Sequence, residues 1–230
     1  VKEIFLLVFA LIFSVSGFAK DPDQILKNLQ KKFTEVKDYE ADVNVKVNVE
    51  LLKVPESNAK IYFKQPDKVS IKSSGFSMLP KEGVNFLPNL FSKKEYSAIY
   101  VREENLNGIK TTVIKLIPLN ESSEVLLSTL WVDEAKNVIR KAEVSTKLNG
   151  VFTIDLDYSY SGQYYMISNM KFSFNLNNLD MVKGMNSEQQ GTPRTKNKPR
   201  KASKGNVYIN YSNYKINKGI PDSFFVEKKK

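Results

Sequence analysis

The chain of 230 residues carries 35 Lys and Arg against 25 Asp and Glu, a net charge of +10, and contains neither cysteine nor histidine. Thiol chemistry, Ser-His-Asp hydrolysis and His-based metal sites are thereby excluded, as are disulfides and lipid attachment at a cysteine of this chain. A hydrolase built on carboxylates alone stays open; the expectation is a protein that makes and breaks no bonds and needs no metal or cofactor.

Residues 4–19, IFLLVFALIFSVSGFA, open the chain with an apolar run from Ile4 to Phe13 behind Lys2. Gly17 and Ala19 then stand at the small-residue positions of a signal-peptidase site. The run is too short for a membrane span, so residues 1–19 read as a signal peptide and the chain as exported, leaving 20–230 as one domain with a sizeable core.

Asp21-Pro22-Asp23-Gln24 predicts a helix start, with Asp21 as N-cap, Pro22 at the first position and Gln24 placed to complete a capping box. Ile25, Leu26, Leu29, Phe33 and Val36 follow at helical spacing opposite Lys27, Asn28, Lys31 and Lys32, giving an amphipathic helix. From Tyr39 to Leu51 the period changes to two, predicting a long antiparallel strand with one wet face. Lys60–Gln65 and Lys68–Lys72 continue that pattern around Pro66-Asp67. Further strands are expected at Ala98–Arg102, Thr111–Ile117, Leu126–Val132, Val138–Leu148, Val151–Tyr160, Ser168–Leu176 and Val207–Tyr214. Asn107-Gly108 and Asn149-Gly150 mark turns between neighbours. Such a succession, apolar on one face, predicts a single large sheet that curls, with the leading helix over its inner face.

Two stretches break the pattern. Residues 75–91, GFSMLPKEGVNFLPNLF, are too apolar for an ordinary loop and fit no regular period. They are expected either to pack as core, through one short helix, or to form a movable lid. Residues 183–204 hold seven Lys and Arg against Glu188 alone, with two prolines and few large apolar side chains. That composition predicts a disordered loop over about 180–205, able to touch anionic membrane; without aromatics it offers nothing for nucleic acid to stack on.

The order of these elements, together with AKIYFKQPDKVSIKSSG (59–75), IKLIPLN (114–120), STLWVDEAKNVIRKAEVSTKLNG (128–150) and IPDSFF (220–225), resembles the LolA-type outer-membrane lipoprotein carrier family. The resemblance covers roughly residues 22–176 and the tail. It implies a mainly β fold: one curved antiparallel sheet forming an incomplete β-barrel, closed by the N-terminal helix and the 75–91 segment. It further implies a periplasmic location, an apolar cavity for the acyl chains of lipoproteins or other lipids, and transfer toward the outer membrane between an inner-membrane transporter and an outer-membrane acceptor. A monomer is expected. Family members carry Arg before the proline of the second strand, where it bonds to the lid; Gln65 stands there in this chain, a neutral donor in place of a charged one.

The cavity candidates are the inward sets Val43, Val45, Val47, Phe63, Val69, Ile71, Phe152, Ile154, Leu156, Phe172 and Phe174, with Phe76, Met78, Leu79, Phe86, Leu87 and Gln65 as the lid. Pattern alone leaves it open whether these faces enclose a hollow or fill one another. A second reading is an envelope sensor that binds lipidated or misfolded components and docks on a partner through the basic loop. Asp155 and Asp157, two apart on one strand, are expected on its wet face, and Trp131 in core or interface.

Overall fold

The computed structural model describes residues 20–49, 54–73, 81–91, 96–148, 150–175 and 204–225; the expected signal peptide, Phe76, Met78, Leu79 and nearly all of 183–204 lie outside them. Helix α1 spans Pro22–Thr34. Asp21 Oδ1 accepts from the backbone N–H of Asp23 at 2.9 Å and Gln24 at 3.3 Å, satisfying donors that a helix start leaves free. The capping box does not close. The Gln24 amide turns along the helix and donates to Asn28 Oδ1 at 3.0 Å, a partner one turn away. Ile25 and Leu29 are buried, as their spacing requires.

The strands are β1 (Asp38–Val49), β2 (Ser57–Lys64), β3 (Lys68–Ser73), β4 (Tyr96–Leu106), β5 (Ile109–Pro118), β6 (Val125–Asp133), β7 (Val138–Thr146), β8 (Gly150–Ser161), β9 (Tyr164–Asn175) and β10 (Lys204–Ile216). They form one ten-stranded sheet in the order β3-β2-β1-β10-β9-β8-β7-β6-β5-β4, antiparallel at every pairing. The fold is mainly β and the barrel incomplete, with β3 and β4 as unjoined edges. The connection from β3 to β4 therefore crosses from one edge to the other. Its described part is two short helices, α2 (Lys81–Val84) and α3 (Phe86–Phe91), rather than the one short helix expected. A 3₁₀ turn at Asp222–Phe225 follows β10. None of the described helices is long and apolar enough to cross a membrane.

Strict alternation places Ala41, Val43 and Val45 of β1, Ile154 of β8, Phe172 and Phe174 of β9, and Val207 and Ile209 of β10 in one buried cluster with Leu29 of α1. At the β9–β10 pairing the Phe174 ring lies over Gly205; a Cβ there would fall 2.5 Å from Phe174 Cζ, so only glycine fits. Asn107 and Gly108 both take positive φ, 52° and 85°, forming the tight turn that their sequence predicts. Lys60 on the outer face bridges Glu40 at 3.0 Å and Asp42 at 2.6 Å. Asp155 and Asp157 pair outward with Lys171 and Asn169. Trp131 is buried on the side of β6 opposite Leu130, under the Lys141 ammonium 4.7 Å from its ring centroid.

Bulges interrupt the alternation. On β10 the register against β1 steps between Lys215 and Ser212, with Asn213 at φ 53°. On β9 it steps at Ser168. A bulge reverses the phase of the side chains beyond it, so Tyr211 and Tyr214 face inward together, as do Met170 and Ile167. For this reason β9 starts at Tyr164, earlier than the alternation around Ser168 indicates. A bulge at Val101 likewise shifts the phase within β4, which runs past both expected ends.

Candidate functional site

A cavity lies between α1, the α2–α3 segment and the bulged ends of the central strands. Leu29, Phe33 and Val36 line it from the α1 side, Val84, Phe86, Leu87 and Phe91 from α2–α3, and Tyr39, Phe63, Leu156, Tyr158, Met170, Tyr211 and Tyr214 from the sheet. Its volume is about 100 Å³, against about 300–1,000 Å³ for a typical ligand pocket. Phe86, Leu87 and Phe91 of α3 form one wall of the cavity.

Aromatic contacts tie the cover down. Tyr211 stacks on Tyr214 (6.2 Å, 6°), Tyr214 meets the edge of Tyr39 (5.5 Å), Tyr39 packs on Phe63 (5.2 Å), Phe63 on Phe33 (5.5 Å) and Phe33 on Phe91 of α3 (5.1 Å). Each such pair is worth about 0.5–1.5 kcal/mol beyond its burial. The row runs without a break from β10 through α1 to the α3 helix. Beneath α1, Gln65 Nε2 donates to the carbonyls of Phe33 and Val36, both at 3.1 Å, and Asn217 Nδ2 donates to that of Glu35 at 3.1 Å. Gln65 therefore secures the end of α1, which α3 leans on through Phe33.

Besides Lys32 and Asn137, the polar groups of the lining are phenols. Burial pushes the Tyr39, Tyr158, Tyr211 and Tyr214 hydroxyls well above their ordinary range, so they stay protonated. Tyr158 donates to the Ile139 carbonyl at 3.0 Å and Tyr214 to that of Ile167 at 2.8 Å. Among the described residues, the Tyr39 and Tyr211 hydroxyls have no hydrogen-bond partner. Arg140, extra in the β7 bulge against β6, pairs with Asp133 at 2.8 Å, donates to the Tyr165 hydroxyl at 2.9 Å and lies 5.4 Å from the Tyr158 ring centroid. No carboxylate among the described residues lines the cavity, and none of them form a cluster of three or more metal-ligating acidic groups. What the arrangement can do is hold an apolar body against a few neutral donors and the Lys32 ammonium.

Of the residues expected to line a cavity, Phe63 and Leu156 do so; Val43, Val45, Phe152, Ile154, Phe172 and Phe174 pack in the solid part of the core, with Val47, Val69 and Ile71 at its margin. Phe86 and Leu87 line the cavity from α3. Of the five lining tyrosines, 39 and 158 follow the inward alternation of β1 and β8 and 211 that of β10, whereas 165 and 214 lie beyond bulges that a strictly two-residue reading does not place. The signal was Asn-Tyr-Ser-Asn-Tyr at 210–214, in which two tyrosines three apart flank an Asn suited to positive φ.

No protein-family model matches the sequence, and no curated protein matches it. Solved structures do match its fold. A DUF1329 family protein from Desulfovibrio piger superposes with TM-score 0.60 at 15% identity, covering 90% of this chain and 98% of that one. A LolA superfamily protein from Nitrosomonas europaea gives 0.57 at 11% identity, covering 91% and 99%. A putative outer membrane lipoprotein-sorting protein domain from Vibrio parahaemolyticus gives 0.53 at 14% identity, covering 89% and 97%. The chain thus shares the fold of DUF1329 and LolA-superfamily proteins, over nearly their whole length.

Proposed function

We propose that this protein is a periplasmic carrier that takes the acyl chain of a lipid or lipoprotein into the tyrosine-lined cavity, with α2–α3 as the movable cover. The observation that supports this reading best is an apolar cavity closed by a segment whose own side chains, Val84 and Phe86 at the cavity and Leu90 beside it, are buried against the core. The likeness in fold to a lipoprotein-sorting domain supports the cargo class.

The magnitudes favour a long chain. Lifting those three side chains off the core costs on the order of 5–9 kcal/mol, at about 1.5–3 kcal/mol each. An incoming chain recovers about 0.8 kcal/mol per methylene, so roughly six to eleven methylenes match the cost of opening and shorter chains do not. Native mass spectrometry of residues 20–230, purified from a periplasm without detergent, tests this. The expected result is an added mass that organic extraction removes and that chains of about twelve carbons or more restore, while four-carbon chains do not. A clean apo mass that refuses every added lipid contradicts the carrier reading.

A further inference from the structure

The cavity opens onto a second depression of different chemistry, a groove of about 470 Å³. The two share Lys32, Asn137 and Tyr165 in their lining and so adjoin each other. Lys31, Lys32 and Lys136 line the groove against one carboxylate, Glu35, which is engaged by Lys32 at 2.7 Å. Lys31 has no ion pair among the described residues. Lys136 Nζ donates to the Tyr160 hydroxyl at 3.2 Å and lies 5.5 Å and 5.6 Å from the ring centroids of Tyr160 and Tyr165. That hydrogen bond raises the Lys136 pKa, so the ammonium remains charged. Tyr160 itself is 63% exposed, a large aromatic held in place at the mouth. Asn28 and Gln163 add amide donors.

An apolar pocket ending in a cationic threshold is complementary to an amphiphile with a negative head. We propose that the groove binds the anionic head, phosphate or carboxylate, of an amphiphile whose chain occupies the cavity, with Lys31, Lys32 and Lys136 as its cationic contacts. The inference rests on the carrier reading, because it needs the chain to anchor the head. Exposed ammonium groups are screened by water and salt, so the groove selects among chains already bound and does not hold a free anion tightly. Tyr160 at the end of β8, Gln163 on the β8–β9 turn and Lys136 on the β6–β7 turn fix the position of the head. Lys31 and Lys32 on α1 move with the helix that leans on the cover.

Isothermal titration with monomeric lysophosphatidic acid, monopalmitoylglycerol and glycerol 3-phosphate tests the proposal, the first two sharing a sixteen-carbon chain. The expected result is about tenfold tighter binding of lysophosphatidic acid than of the neutral lipid, falling toward parity in 1 M salt, with no binding of glycerol 3-phosphate at millimolar concentration. Palmitate keeps part of that preference if the site reads negative charge alone and loses it if phosphate geometry is required. In the Lys31→Gln/Lys136→Gln variant the ratio of the two lipids drops to about one, and Lys31→Arg/Lys136→Arg restores it. Equal affinities in the unmodified protein overturn the headgroup assignment while leaving the carrier intact. Failure of both lipids to bind overturns the carrier and this inference together. Tight binding of glycerol 3-phosphate makes the groove an independent anion site and overturns the amphiphile.

Discussion

Along the inner face of the sheet, one end of the central strands is filled and the other is partly hollow. On β8 the boundary falls between Ile154, fully buried in the aliphatic cluster, and Leu156, which borders the cavity. On β9 it separates Phe172 from Met170, and on β10 Ile209 from Tyr211. Branched aliphatics and close aromatic pairs such as Phe152–Phe172 (5.1 Å) fill one end at the density of an organic solid. Tyrosines are stiff, and their hydroxyls must find acceptors or remain at a void. Two of the four raised phenols do find carbonyls, and two face the cavity. Stiff side chains with polar tips keep a space open that leucines would collapse.

Matched truncations break this comparison most severely. Ile154→Ala is expected to lose about 3–5 kcal/mol of stability, because it leaves a new void in rigid surroundings. Leu156→Ala, two residues along the same strand, is expected to lose about 2–3 kcal/mol, since its side chain already borders space, and to keep lipid binding. Urea unfolding midpoints of the two variants decide the matter, and equal losses would mean that the cavity end is as tightly filled as the other.

Alkaline titration probes the hollow end next. Burial raises the Tyr39, Tyr158, Tyr211 and Tyr214 pKa values above the ordinary value of 10. The unfolded chain therefore releases these protons first as pH rises. Their stabilising contribution is complete below pH 10 and is lost progressively above it, by up to about 1.4 kcal/mol per pH unit for a fully buried group such as Tyr211. Urea midpoints measured from pH 8 to 11 should fall only above pH 10, and a Tyr39→Phe/Tyr211→Phe variant should fall less steeply. A midpoint independent of pH in that range would place these hydroxyls in solvent.

The mildest effect is expected at the support of the cover. Gln65→Ala removes two hydrogen bonds to carbonyls at the end of α1 and should cost about 1–2 kcal/mol. Gln65→Arg should recover that loss, because a cation near a helix C-terminus is a stronger donor favoured by the helix dipole. If amide exchange across 81–91 is unchanged in Gln65→Ala, α1 and α3 are not coupled through Phe33.

Much of this architecture was legible from local pattern. The Asp21 cap, the α1 stripe and the unbroken alternation of β1 specify their elements with little ambiguity, and they led to the single curled antiparallel sheet. The resemblance in element order anticipated the incomplete barrel. The pairing of β1 with β10, across more than 150 residues of chain, left no local trace. Nor did the position of the cavity. Alternation identifies which side chains point inward but not which of them meet a neighbour, so Val43, Phe172 and Phe174 looked equivalent to Leu156. The hollow end also sits where single-residue bulges at Ser168 and Asn213 shift the phase, and a strictly two-residue reading loses register there. Gln65 was tied to the lid by resemblance; among the described residues its amide donates to carbonyls at the end of α1, on which α3 packs through Phe33.

Photolabelling with palmitic acid that carries a diazirine in mid-chain tests the central claim most directly, because it records which end of the inner face receives the chain. The account predicts adducts on the peptides holding Phe86–Phe91, Leu156–Ile167 and Tyr211–Tyr214, competed by unlabelled palmitate. Adducts confined to the filled end, at Val43, Val45, Phe172 or Phe174, or no competed adducts at all, would contradict it.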